Sequence, residues 1–165
     1  QPRVGLANIG TEKTKGGPLQ LEAYGLMEAS SYHFIGNVEA RDVPFGACDV
    51  LVADGFTGNM LLKMYEGVAG AMMANIKGIF KQNAITKLSA LMIKNGLMDF
   101  KKRMDYTEFG GAPLLGISKP VIKAHGSSNA KAFCSAIRQA KQFSETGVIE
   151  NIANAVTKSA QASEA

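Results

Sequence analysis

C-D-V-L-V-A-D-G-F-T-G-N-M-L-L-K, residues 48–63, decides the fold. The apolar run Val50-Leu51-Val52-Ala53 has the length and β-branched content of a buried strand. Asp54-Gly55 and Gly58 then break the pattern. From Thr57 or Asn59 onward Met60, Leu61, Met64, Val68 and Met72 recur at helical spacing. The reading is strand, tight glycine turn, helix. In α/β proteins such a turn lies at the carboxyl end of the strand, where ligands bind. A helix N-terminus offers unpaired N–H groups that suit an anion. Asp54, Thr57, Gly58 and Asn59 are the side chains and backbone presented there.

Upstream the same grammar recurs. Val4–Ala7 reads as a short buried strand, followed by the polar, glycine-rich loop 8–17 with Asn8, Gly10, Thr11 and Lys15. It is not a Walker A loop, because Gly5 and Gly10 have its spacing but Thr11-Glu12 stand where Lys-Ser/Thr belongs. The loop is read either as a cradle of N–H groups with one lysine or as a solvated basic turn. Pro18 suits a first helical turn, and Leu19, Ala23, Leu26 and Met27 form one face of a helix ending near Ala29. Tyr32–Ile35 is a second strand and 36–42 another charged loop, in which Arg41 either binds an anion or pairs with Glu39 or Asp42. This βα repetition predicts an α/β fold of three α/β/α layers around a largely parallel sheet. Loops 8–17, 36–42 and 54–59 would then project from one edge.

Downstream the chain is helical. One helix is expected from Met60 to about Gln82 and a second over Ile85–Met104, interrupted at Asn95-Gly96, with lysines at 87, 94, 101 and 102. The pair reads as a protruding basic amphipathic hairpin, an insertion over about 60–104. Its apolar residues either pack as core or dimer interface or meet a partner, an acidic protein or a membrane surface touched by 84–104. Gly110-Gly111 before Pro113 mark a close-packed backbone. Pro120–Ala124 reads as a fourth strand, ending in His125-Gly126-Ser127-Ser128-Asn129, a helix start that repeats the first motif, with Ala132, Ile137 and Ala140 on one face. Val148–Val156 is helical and 159–165 a frayed tail.

Composition bounds the possibilities. The 165 residues suffice for one domain, 1–165, with 46% hydrophobic and 19% charged residues. A net charge of +4 favours anionic partners. Nucleic acid is not expected, since no basic run is interleaved with aromatics. Cys48 and Cys134 read as reduced, buried thiols, and no Cys/His cluster predicts a metal or other cofactor. There is no apolar run of ~18 residues and no secretory signal. Gln1-Pro2-Arg3 running straight into a strand reads as entry into the middle of a longer protein.

From the residues alone the chemistry is an anion site built from Lys15, Arg41, Asn59 and the Ser127-Ser128-Asn129 helix start. His125 stands beside it as an acid/base group, a substrate donor or a loop anchor. No G-x-S-x-G elbow makes a serine nucleophile. No G-x-G-x-x-G supports a nicotinamide dehydrogenase. The reaction itself stays open at this level.

N-I-G-T-E-K-T-K-G, F-I-G-N-V-E-A-R-D, V-A-D-G-F-T-G-N-M-L-L-K, Y-T-E-F-G-G-A-P-L-L-G and V-I-K-A-H-G-S-S-N-A-K, in that order, resemble the bacterial phosphate acyltransferases of the PlsX family. The resemblance covers nearly the whole chain but only about the C-terminal half of the family. It implies the isocitrate dehydrogenase/phosphotransacetylase-like fold, a homodimer, and a cytoplasmic enzyme associated peripherally with membrane. It implies transfer of a fatty acyl group from acyl carrier protein to inorganic phosphate, giving acyl phosphate for phospholipid synthesis, without a cofactor. In that reaction Lys15 would hold phosphate and Asn59 would stabilise the oxyanion. Asn8, Gly10, Thr11, Arg41, Asp54, Thr57, Gly58, His125, Ser127, Ser128 and Asn129 would contact substrate. The alternative is a non-catalytic phosphate-binding or dimerising half that lacks the facing wall of its cleft.

Overall fold

The computed structural model describes residues 1–103, 110–126 and 128–163. They form two compact units, Gln1–Ile79 and Phe80–Ala165.

The first unit is built on a three-stranded parallel sheet in the order β2-β1-β3, with β1 Val4–Asn8, β2 Phe34–Glu39 and β3 Val50–Val52. Helix α1, Pro18–Glu28, crosses from β1 to β2 and packs on both. Parallel pairing puts all three carboxyl ends on one edge, so the loops after β1, β2 and β3 leave from the same side. The centre is tight. Leu6, Ala7 and Val38 are buried, and a Cβ on Gly5 would stand 2.5 Å from Val38 Cγ2. At the opposite edge Arg3 closes the sheet. Its guanidinium donates to Asp49 Oδ1 (2.9 Å) and Oδ2 (3.2 Å) and to the carbonyls of Ala47 and Gly46. This fork holds the Asp49 carboxyl down at about 2.

Several expectations shift. The second strand is Phe34–Glu39, not 32–35, so Gly36–Glu39 belong to the sheet and not to a loop. Val50 and Val52 are 45% and 40% exposed, because β3 is an edge strand with β1 as its neighbour. On α1 the inward face is Gln20, Ala23, Tyr24 and Met27, at i, i+3, i+4, i+7; Leu19 and Leu26 are exposed. Tyr24 sets that phase by packing edge-to-face on Phe34, 5.1 Å between centroids. Helix α2 runs Gly55–Phe80, starting before Thr57, and none of its residues is buried.

The second unit holds α3 (Ala84–Met92), α4 (Lys94–Arg103), β4 (Gly111–Pro113), β5 (Ile122–Ala124), α5 (Ala130–Glu145) and α6 (Val148–Ser163). The predicted helix over 85–104 is thus two helices, broken at Ile93 and not at Asn95-Gly96; Met104 lies outside the described residues. Asn83 starts α3 as its N-cap, accepting from the Thr86 N–H at 2.9 Å. The fourth strand of the sequence reading does not join the parallel sheet. It pairs antiparallel with β4 in a separate two-stranded ladder. Helix α5 packs on both strands. Gly110, at φ +80°, is the reason it can: a Cβ there would fall 2.3 Å from the Ala136 nitrogen and 2.5 Å from the Ala132 oxygen. The buried face of α5 is therefore small, Ala132, Ser135 and Ala136, while Ile137 is exposed. The last helix continues through Ser163, past the expected end at Val156. Cys48 is half-buried and Cys134 exposed, against the expectation of two buried thiols.

Candidate functional site

The loop after β1 is held by amides. Asn8, the last residue of β1, donates from Nδ2 to the Lys15 carbonyl at 3.0 Å and to Asn37 Oδ1 at 3.1 Å. Asn37, buried in β2, donates from its own Nδ2 to the Glu12 carbonyl at 2.8 Å. That carbonyl also accepts the Lys15 N–H at 3.1 Å. Asn8 Oδ1 turns back to accept the Ile9 N–H at 2.8 Å. Gly16, at φ +93°, closes the turn where a Cβ would meet Gln20 Cβ at 2.7 Å and Asn8 Oδ1 at 2.9 Å. Gly10 is buried under the Lys15 stem. Lys15 itself is 46% exposed, its Nζ 3.9 Å from Glu12 Oε1. Lys13 is engaged elsewhere, with Glu28 and over the Tyr24 ring, and both raise its pKa. Thr11 is exposed at the loop's rim.

Arg41 follows β2 and pairs through Nε with Glu39 at 2.7 Å, while remaining 77% exposed. The salt-bridge reading of this residue describes what is seen.

At α2 the helix start is already occupied by a carboxylate. Asp54 Oδ1 accepts the N–H groups of Phe56 (3.0 Å) and Thr57 (2.9 Å), and Thr57 Oγ1 donates to Oδ2 at 2.6 Å. The Thr57 hydroxyl and N–H, then Phe56, lower the Asp54 pKa. Gly58 N–H goes to the Asp54 carbonyl. Asn59 is the fifth residue of α2, within the helix and not at its start, with an exposed side chain. At that place its own N–H belongs to the helical ladder, so only the side-chain amide is available to a ligand. β1 and β3 are neighbours in the sheet, so the Lys15 loop and the α2 start rise from adjacent strand ends.

In the second unit Asn129 caps α5, accepting the Ala132 N–H at 2.9 Å, and the Ser128 N–H bonds the His125 carbonyl at 3.0 Å. The Ser128 hydroxyl oxygen is buried and finds no hydrogen-bond partner among the described residues. Ser127 lies outside the described residues. The same unit contains a cavity of about 470 Å³, walled by Leu114, Leu115, Ile117, Phe143, Ile149 and Val156, with Glu150 also in its lining. Such walls fit an aliphatic chain and reject a phosphate. Among the described residues no group of three His, Cys, Asp or Glu could hold a metal, and no helix is long and apolar enough to cross a membrane.

The sequence-predicted residues therefore divide. Asn8, Gly10, Thr11, Lys15, Arg41, Asp54, Thr57, Gly58 and Asn59 belong to the first unit; His125, Ser128 and Asn129 belong to the second. Asn37 was missed. The sequence places it in a loop, and only its position in a strand beside Asn8 reveals its part; a polar residue between Gly36 and Val38 is the available signal.

Residues 1–151 match the family model described as "Fatty acid synthesis protein". The chain belongs to that family. It is 54% identical over 156 residues to the phosphate acyltransferase of Lysinibacillus sphaericus, covering 94% of this chain and 47% of that protein. It is 53% identical over 152 residues to the phosphate acyltransferase of Thermoanaerobacter pseudethanolicus, covering 92% and 46%. With the phosphate acyltransferase of Brevibacillus brevis it shares 51% over 158 residues, covering 96% and 47%. The chain thus spans about half the length of these relatives, and the expected family resemblance is met.

Proposed function

We propose that the protein of which this chain forms part transfers a fatty acyl group from acyl carrier protein to inorganic phosphate. The observation that carries the reading is identity above half, over more than nine-tenths of the chain, to proteins named phosphate acyltransferase. The Lys15 loop supports it. An amide-tied loop presents one ammonium at the carboxyl edge of a parallel sheet, where phosphate would be held.

In this reading a phosphate oxygen attacks the thioester carbonyl and the C–O bond forms. The tetrahedral oxyanion collapses, the C–S bond breaks, and the carrier thiolate leaves and takes a proton. Phosphate is the nucleophile, so no serine or cysteine need be acylated. Lys15 neutralises and orients phosphate, and the Asn59 amide donates to the oxyanion. Arg41, His125, Ser127, Ser128 and Asn129 are proposed as further substrate contacts, with Asn8, Gly10, Thr11, Asp54, Thr57 and Gly58 shaping the loops.

The coarser architecture, α/β with a parallel sheet, agrees with an isocitrate dehydrogenase/phosphotransacetylase-like domain, of which 1–165 would be the C-terminal portion. The exposed Leu88, Leu91 and Met92 beside Lys87 and Lys94 support a contact through α3 and α4 with the carrier protein, a membrane surface or a second subunit. The protein is incubated with acyl carrier thioester and phosphate, and free carrier is measured. Phosphate-dependent release that drops about 10²–10³-fold in Lys15→Ala or Asn59→Ala is the expected result. Release unchanged in both variants removes the assignment of those residues. No release from a folded protein removes the activity for this chain.

A further inference from the structure

We propose that Asn37 is a positioning residue for Lys15: its buried amide fixes the loop 9–17 so that the ammonium is presented at the carboxyl edge of the sheet. The inference rests on reading Lys15 as the group that holds phosphate.

Asn37 sits in β2 between Gly36 and the buried Val38, at 7% exposure. An amide placed there without partners would cost about 1–3 kcal/mol. It has partners on both atoms, and both lead to the same place. Nδ2 donates to the Glu12 carbonyl, the same oxygen that takes the Lys15 N–H. Oδ1 accepts from Asn8 Nδ2, which also donates to the Lys15 carbonyl. A closed circuit results. It runs from Asn37 through the Glu12 oxygen to the Lys15 N–H, across Lys15 to its carbonyl, and back through Asn8 to Asn37. Lys15 is gripped by its main chain on both sides while its ammonium stays exposed.

The circuit also spans the sheet. Asn8 ends β1 and Asn37 lies in β2, so loop position is referred to two adjacent strands. A loop held by one strand could pivot about its end; a loop tied to two cannot. Geometry of this kind matters at a reacting centre, where a misplacement of about 1 Å costs on the order of 10²-fold in rate. Asn37 is buried and both polar atoms of its side chain are engaged within the loop circuit, so it acts through Lys15 and not on substrate.

Binding of inorganic phosphate to the chain tests this in a double-mutant cycle of Asn37→Ala and Lys15→Ala, read by titration calorimetry well below the unfolding temperature. Asn37→Ala is expected to weaken phosphate binding about tenfold. In the Lys15→Ala background the same change is expected to have no further effect, because the residue it positions is gone. Asn37→Ser, too short to reach the Glu12 carbonyl, replaces the alanine variant if that one does not fold. A purely structural role predicts lower thermal stability with unchanged phosphate affinity, or losses that multiply in the double variant; either overturns the inference. If Lys15→Ala leaves affinity unchanged, or the wild-type chain binds no phosphate, the Lys15 reading fails and this inference falls with it. If Lys15→Ala loses binding and Asn37→Ala does not, only the positioning role fails.

Discussion

The chain passes from strand to helix at 52–55 and again at 124–130, and the two passages solve the same problem differently. Between Val52 and Gly55 stand only Ala53 and Asp54, and the cap is a carboxylate taking two N–H groups and a hydroxyl. Between Ala124 and Ala130 stand residues 125–129, and the cap is the neutral amide of Asn129. In sequence the two look like one motif repeated, a glycine and a hydroxyl ahead of a helix. In structure the first already contains its own anion. A phosphate approaching α2 meets Asp54 before it meets the helix dipole. The cation that offsets this has to come from another loop, which is why Lys15 and the amides that hold it matter more than the helix start.

The largest test of the difference is at the glycines. Gly110→Ala forces a methyl into the α5 backbone at positive φ and is expected to lower stability by on the order of 3 kcal/mol, read by denaturant unfolding. Gly126 and Gly58 carry no such demand. At Asn129, loss of the cap in Asn129→Ala should cost about 1 kcal/mol, independent of pH between 3 and 6, roughly as for other neutral caps.

Acid should separate the passages further. Asp54 and Asp49 both have lowered pKa values, Asp49 from 3.8 to about 2. A carboxylate more acidic folded than unfolded stabilises above its unfolded pKa and loses that contribution as pH falls through the folded one. The first unit is therefore expected to weaken from about pH 4 down to about pH 2, with the Arg3–Asp49 fork the later to go. Amide exchange or NMR intensities of β1 and β3 against those of α5 would follow this. Asp49→Asn should remove most of the dependence.

Smaller effects bear on the site. Gly58 lies inside α2, and a Cβ there would meet only Ala53 Cβ at 3.5 Å, ordinary contact. Gly58→Ala should raise stability by about 0.5–1 kcal/mol. A simultaneous loss of acyl transfer would mean that substrate needs the bare backbone. Smallest is Glu12→Gln. Removing the carboxylate 3.9 Å from Lys15 Nζ should tighten phosphate binding two- to threefold, roughly the scale of an exposed ion pair.

Much of this was legible beforehand because periodicity and punctuation are local. The strands near 4–8 and 50–52, Pro18 at the start of α1 and the close approach at Gly110-Gly111 follow from runs, ring geometry and missing Cβ atoms. Pairing is not local. Nothing in Pro120–Ala124 says that its neighbour is Gly111–Pro113 and not β1. Helix phase failed for a related reason: Leu19, Leu26 and Ile137 are the apolar choices, yet Tyr24 on Phe34 and Gly110 on α5 turn other residues inward. At the site, Lys15 stood out by charge in a glycine-rich loop, whereas Asn37 acquires meaning only through partners 25 and 29 residues away.

The order β2-β1-β3 carries one more consequence. Of the three strands in this sheet the middle one is made first. Val4 lies opposite both Phe34 and Val50, so residues 4–8 are synthesised before either of their partners in this sheet. Sheet completion is a late event set by separations of 30 and 46 residues, a slow class of closure.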